Sequence, residues 1–249
     1  MIDLIVLCAA AFLAGALNAI AGGGSFLTFP ALVFAGVPPI AANATSAVAV
    51  FPGYASGALG FLSELRSFDR RVLIRMVGLS VVGGVSGSIL LLVTPASVFN
   101  WVVPWLLLFA TVLFLLGGRI NSWIESRGKA KSNGWITTLL VSIYGGYFNG
   151  GLGIVLLALF SAQGMRDLNL MNGLKNMLSF VLSAASVATF ALAGVVWWKE
   201  AMVMMLAATI GGYVGARLAR RMPLAMVKTV VVIVGLVMTM VFFARSLAV

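Results

Sequence analysis

Long stretches of this chain carry no formal charge, and they limit what it can fold into more than any other feature. No Asp, Glu, Lys or Arg occurs over 4–63, 76–118, 132–165, 176–198, 201–216 or 229–244. A helix needs about 20 consecutive, mostly apolar residues to cross the hydrocarbon core of a bilayer, so these runs hold many spans. A β-barrel is excluded because the runs lack the period-two alternation of apolar and polar residues that barrel strands require. Across the chain 62% of residues are hydrophobic and 9% are charged, too few polar groups to cover a soluble core of this length.

The 16 basic residues and net charge of +10 do not indicate nucleic acid. They cluster in short segments between the apolar runs, which is the pattern of cytoplasmic loops. Cys8, the one cysteine, lies inside an apolar run, so no internal disulfide forms. Met1-Ile2-Asp3 lacks a basic n-region and reads as the start of a first helix, not a cleaved signal.

The chain reads as two related halves. Gly83-Gly84-Val85-Ser86-Gly87 matches Gly211-Gly212-Tyr213-Val214-Gly215, and Pro95 and Pro223 follow at the same offset of 128 residues. Gly15, Asn18 and Gly22 match Gly146, Asn149 and Gly153 at an offset of 131, which requires a three-residue gap between the two blocks. Shared order and spacing argue for duplication. The halves are 1–120 and 133–249, joined by a polar linker over 121–132. Each begins with two apolar pieces around a glycine-rich break: 2–21 and 25–36, then 135–149 and 152–165. A longer helix follows in each (40–62 and 171–195). Two more complete each half: 72–93 and 98–118, then 200–218 and 224–244.

Loop charge sets the expected orientation. Arg66, Arg70, Arg71 and Arg75 form one basic segment, Arg119, Arg127, Lys129 and Lys131 a second, and Arg217, Arg220, Arg221 and Lys228 a third. With these placed in the cytoplasm, the turns at Thr94-Pro95 and Lys199-Glu200 fall outside, as does the N-terminus, and the halves are inverted. The predicted fold is an all-α polytopic membrane protein of two inverted-topology repeats, eight to ten hydrophobic segments in total. Each repeat is a broken helix pair or re-entrant hairpin plus three longer helices.

Interrupted helices at matching positions of inverted repeats point to a transport site at the interruptions. The first break holds Asn18, Gly22, Gly23, Gly24 and Ser25; the second holds Asn149, Gly150 and Gly151. Backbone freed at membrane depth must be satisfied by protein, water or ligand, and helix N-termini starting there suit an anion. The competing explanation is that these glycines only permit close packing. The third helix of each half opens with polar residues: Asn43, Thr45 and Ser46 in the first, and Asn172, Lys175 and Asn176 in the second. Lys175 is either an anion-binding charge or a lysine snorkelling to the cytoplasmic interface.

The sequence has no histidine, and its six acids (Asp3, Glu64, Asp69, Glu125, Asp167, Glu200) lie in loops or near helix ends. Buried relays of Asp, Glu or His are therefore not available to it, and neither metal chemistry nor carboxylate acid–base catalysis has its groups. No cofactor, metal or catalytic residue is expected.

Several of these residues carry a resemblance. Gly15-Ala16-Leu17-Asn18 through Gly22-Gly23-Gly24, then Pro30, Ala42 to Ser46 and Pro52-Gly53, resemble the first half of the TauE/SafE sulfite exporter family. Gly146-Tyr147-Phe148-Asn149-Gly150, Leu174-Lys175-Asn176 and the segment from Gly211 to Ala219 resemble the second half. The second break, Gly150-Gly151-Leu152-Gly153, is looser than the glycine run frequent in the family. The resemblance implies multi-pass residence in a bacterial inner membrane and transport of small sulfur-containing anions: sulfite, thiosulfate or short organosulfonates. The partners then expected are such an anion and the lipid bilayer. An anion exported alone gains about 2.3 kcal/mol per charge from a potential of about 100 mV, inside negative, which favours export. Import of a related anion, or a non-transporting assembly or sensor role, is the alternative.

Overall fold

The computed structural model describes residues 2–21, 23–126, 134–218 and 224–247. Among these every regular element is a helix. In the first half they are α1 (Ile2–Ala21), α2 (Ser25–Phe34), α3 (Pro39–Leu59), α4 (Leu62–Ser67), α5 (Arg70–Val93) and α6 (Ala96–Ser126). The second half contributes α7 (Gly134–Tyr147), α8 (Leu152–Ala162), α9 (Leu168–Leu192), α10 (Trp198–Leu218) and α11 (Leu224–Leu247). The expected elements are present, including both interrupted pairs. Two features differ. The short helix α4 occupies the basic segment after α3, and α6 runs on to Ser126, well past the end of its apolar stretch. Outside hydrocarbon a helix needs no apolar surface to continue, so hydropathy marks where the bilayer ends but not where the helix does.

By length and composition, Arg70–Val93, Ala96–Leu113 and Leu168–Leu192 can each cross a membrane. Leu90, Val93, Leu115, Leu192, Ile210 and Met240 are exposed, an apolar outer surface that lipid would cover. Trp101, Trp105, Trp135, Trp197 and Trp198 are also partly exposed, as interfacial tryptophans are. Asp69 caps α5, accepting hydrogen bonds from the Arg71 and Val72 backbone N–H at 2.8 and 3.1 Å. Asp167 caps α9 in the same way, from Asn169 and Leu170 at 2.9 and 3.2 Å. Both acids satisfy helix-end donors.

The main helix contacts join the first half to the second. α1 packs on α10, α5 on α7, and α3 on α9. The first two crossings depend on glycine. A Cβ at Gly15 would land on the Ala208 carbonyl oxygen and 2.8 Å from the Gly212 nitrogen. A Cβ at Gly146 would stand 2.9 Å from the Gly84 Cα. At the third contact the rings of Phe51 and Phe180 stack with centroids 4.9 Å apart. Gly15 and Gly146 are 131 residues apart, Gly84 and Gly212 are 128 apart, and Phe51 and Phe180 are 129 apart. Without a hydrophobic drive between helices in lipid, close backbone approach of this kind supplies the packing energy.

Adding a methyl group at Gly15 should therefore separate α1 from α10, because backbone, not a movable side chain, stands in its way. Gly15→Ala is expected to destabilise the detergent-solubilised protein by about 1–3 kcal/mol, the usual cost of overpacking. Gly78→Ala, where a Cβ meets nothing within 4 Å, should leave the thermal midpoint unchanged or raise it. Equal midpoints for the two variants would refute the crossing.

Candidate functional site

The two breaks meet around one stretch of α3. Pro52 lies within that helix and cannot donate a ladder hydrogen bond. A Cβ at the adjacent Gly53 would stand 3.3 Å from Asn18 Nδ2, so the amide of the first break rests on the α3 backbone. One residue further on, the Tyr54 hydroxyl donates to Asn149 Oδ1 of the second break at 3.3 Å. Asn18 and Asn149, chosen from the sequence for their matching positions, thus approach consecutive residues of one helix.

Local chemistry explains how each break is held. Gly24 begins the first turn of α2, its carbonyl accepting from Leu27 and Thr28 N–H at 3.0 and 3.3 Å, and the Gly23 carbonyl accepts from Phe26 N–H at 3.2 Å. A Cβ on Gly24 would press on the Ala14 carbonyl at 2.8 Å. In the second break Gly151 has φ +71°, a left-handed conformation that costs most other residues energy. The Gly150 carbonyl accepts from the Tyr144 hydroxyl at 2.5 Å. Gly22 lies outside the described residues.

Between α1, α3, α9 and α10 lies a cavity of about 460 Å³. Its polar lining includes Asn18, Ser56, Asn176 and Thr209, and it extends along α3 to Gly60 and Phe61. The next residues are α4 and the arginine-rich segment Arg66 to Arg75. Asn176 stands close to α3: a Cβ on Gly57 would be 2.7 Å from its Nδ2. No acidic side chain lines the cavity.

The other expected site residues lie elsewhere. Thr45 accepts a hydrogen bond from the Trp197 backbone N–H at 3.1 Å, and the Ser46 and Thr28 hydroxyls share one at 2.6 Å. Both tie elements together and neither lines the cavity. Asn43 donates to the Tyr147 carbonyl at 3.0 Å, satisfying an orphan acceptor at the end of α7. Lys175 is 6% exposed and donates through Nζ to Asn172 Oδ1 at 3.1 Å. Its ammonium reaches back towards the α9 N-terminus, the direction helical side chains favour, while the next residue, Asn176, faces the cavity. Sequence reading missed Ser56, Thr209 and Tyr54. Ser56 and Tyr54 are single polar residues in an α3 stretch that reads as plain spanning helix, and Thr209 stands the same way in α10.

Several polar atoms here are buried without a partner: Asn18 Oδ1, Ser25 Oγ and Asn149 Nδ2. Each such group costs about 1–3 kcal/mol when left unmade, and buried orphans of this kind call for an explanation.

Lipid-facing helices, interrupted pairs from both halves meeting at one helix, and a polar-lined cavity among them define a membrane transporter. The chain belongs to the TauE/SafE sulfite exporter family, whose model, described as "Sulfite exporter TauE/SafE", matches residues 7–242. It is 29% identical over 243 residues to a "Probable membrane transporter protein" of Haemophilus influenzae, covering 96% of this chain and 94% of that one. It is 28% identical over 247 residues to "Probable membrane transporter protein YfcA" of Escherichia coli K12, covering 94% and 87%. A similar relative, "Probable membrane transporter protein ORF9" of a Sinorhizobium species, is 28% identical over 230 residues, covering 91% and 87%. No solved structure matches.

The Asn176 amide supplies a check on the cavity. Gly57→Ala should fold, because a side chain can rotate away, but it should displace that amide and lower transport severalfold. In an Asn176→Ala background the same change should add little, the non-additivity expected of groups in contact. Additive losses in a transport assay at matched expression would separate Gly57 from Asn176.

Proposed function

We propose that this transporter exports small sulfur-containing oxyanions, such as sulfite, thiosulfate or short organosulfonates, from the cytoplasm across a bacterial inner membrane. The observation that carries the reading is the cavity: amides and hydroxyls line it and no carboxylate does, while it extends towards Arg66, Arg70, Arg71 and Arg75. Neutral donors bind an anion without a fixed buried charge to desolvate. A cluster of arginines at the entrance raises the local anion concentration.

The reading takes 1–120 and 133–249 as inverted repeats. The glycine crossings and the Phe51–Phe180 stack support it, since each joins residues related by the same offsets of 128 to 131. A two-fold axis in the membrane plane would bring such pairs together. One-sided access supports it as well. Ser56 is exposed at the cavity, whereas Ser186, 130 residues further on, is 2% exposed and donates to the Gly84 carbonyl at 3.2 Å.

Orientation is tested with single cysteines after Cys8 is replaced. Ser67→Cys, beside the arginines, should be protected from an impermeant maleimide added to whole spheroplasts, and Ser97→Cys should react. Labelling of both from the same side would refute the inversion.

Function is tested with purified protein in liposomes loaded with a panel of sulfur oxyanions. Efflux should exceed that of empty liposomes and accelerate as the outside is made positive, a potential of about 100 mV being worth about 2.3 kcal/mol per charge. Absence of flux for every member would leave an assembly or sensor role.

A further inference from the structure

Behind the cavity, on another side of α3, lies a second cluster of polar groups that the cavity does not include. Tyr54 is 3% exposed, Ser25 and Asn149 are each 6% exposed, and the three come from both halves of the chain. The Tyr54 hydroxyl donates to Asn149 Oδ1 at 3.3 Å, long for an O–H···O bond. Ser25 borders the same hydroxyl but makes no well-formed hydrogen bond of its own. Asn18 connects the two places. It lines the cavity, and its Cβ would lie 3.3 Å from a Cβ on Gly24, the residue before Ser25.

What is unpartnered identifies the chemistry of the missing ligand. Ser25 Oγ and Asn149 Nδ2 are both donors with nothing to donate to. Asn18 leaves its Oδ1 free, and rotation of that amide presents its two N–H groups instead. Together with the Tyr54 hydroxyl, these are donors converging from α1, α2, α3 and the second break, with no carboxylate in the cluster. A cation would face the N–H ends of the amides. A ligand made only of acceptor oxygens satisfies them all.

We propose that Ser25, Tyr54 and Asn149 form an occluded oxyanion site, a second station beyond the cavity, with Asn18 at its mouth and Tyr54 as the residue that reads the anion. The Tyr54 hydroxyl exchanges its long bond to Asn149 for a charge-assisted one to the bound oxyanion. The inference rests on the anion-transport reading and adds to it a site and a residue.

Ser25→Ala discriminates well, because the Ser25 hydroxyl holds nothing in the protein. A structural role predicts no loss on its removal, whereas the occluded site predicts a particular pair of effects. The ligand-free thermal midpoint should stay or rise, since a buried orphan is gone. Affinity of the purified protein for sulfite and thiosulfate, measured by calorimetry, should fall about tenfold or more. Tyr54→Phe, which keeps the ring, should fall similarly and flatten the preference among sulfite, thiosulfate and a short organosulfonate. Unchanged affinity in both variants, with wild-type protein binding normally, would overturn the occluded site and leave the transport reading standing. Wild-type protein that binds none of the three would overturn the transport reading, and the site with it.

Discussion

Everything in this protein hangs on two helix crossings made close by the absence of side chains. In lipid, apolar helices gain little by leaving apolar solvent, so association depends on contact and hydrogen bonding. Gly15 against Ala208 and Gly212, and Gly146 against Gly83 and Gly84, bring backbone onto backbone. Each crossing sits just before a break. Three residues after Gly15 comes Asn18, and three after Gly146 comes Asn149. The crossings therefore fix where both helices end and present both amides to α3. A methyl group at either crossing would move an asparagine as well as a helix.

The resulting site works with neutral groups, and this suits a carrier. A fixed charge in a dry pocket costs several kcal/mol to desolvate, and the anion it then held would leave slowly. Passage needs binding strong enough for entry and weak enough for release. Amide and hydroxyl donors meet that requirement. The buried ammonium of Lys175 stands apart, turned to Asn172, where its charge acts at a distance on the side of the cavity near Asn176 without becoming a ligand. The arginines stay at the surface, Arg66, Arg70 and Arg71 all exposed.

Much of this was legible in the sequence, for identifiable reasons. Charge-free runs gave the spans because hydrocarbon tolerates nothing else. Asn18, Asn149 and Asn176 stood out because an amide in such a run needs a partner. Thr45 and Ser46 looked equivalent to them, but hydroxyls are small enough to be used up locally, and the Trp197 backbone and Thr28 take them. Composition cannot separate a hydroxyl that ties elements together from one that waits for a ligand, because the difference lies in what a distant segment brings to it. Tyr54 was hidden for the opposite reason. An aromatic residue in an apolar run reads as core, and its hydroxyl acquires meaning only when Asn149, 95 residues away, reaches it.

The acids complete the logic. Asp69 and Asp167 are committed to helix N-termini, where each carboxylate satisfies two backbone donors. Glu64 lies on α4 in the basic segment and accepts from Ser63 at 2.6 Å, and Glu200 belongs to the first turn of α10. Among the described residues, then, every carboxylate sits at a helix end or in the basic segment, and the cavity and the Tyr54 cluster hold none. Proton coupling through a carboxylate would need such a group where the substrate binds. With donors alone at the site, the driving force has to act on the substrate itself, through its charge in the membrane potential or through a proton it carries. A chain with no histidine and no acid at its centre is thus suited to moving an anion down its own electrochemical gradient, and the polar groups it does bury are those that such an anion can use.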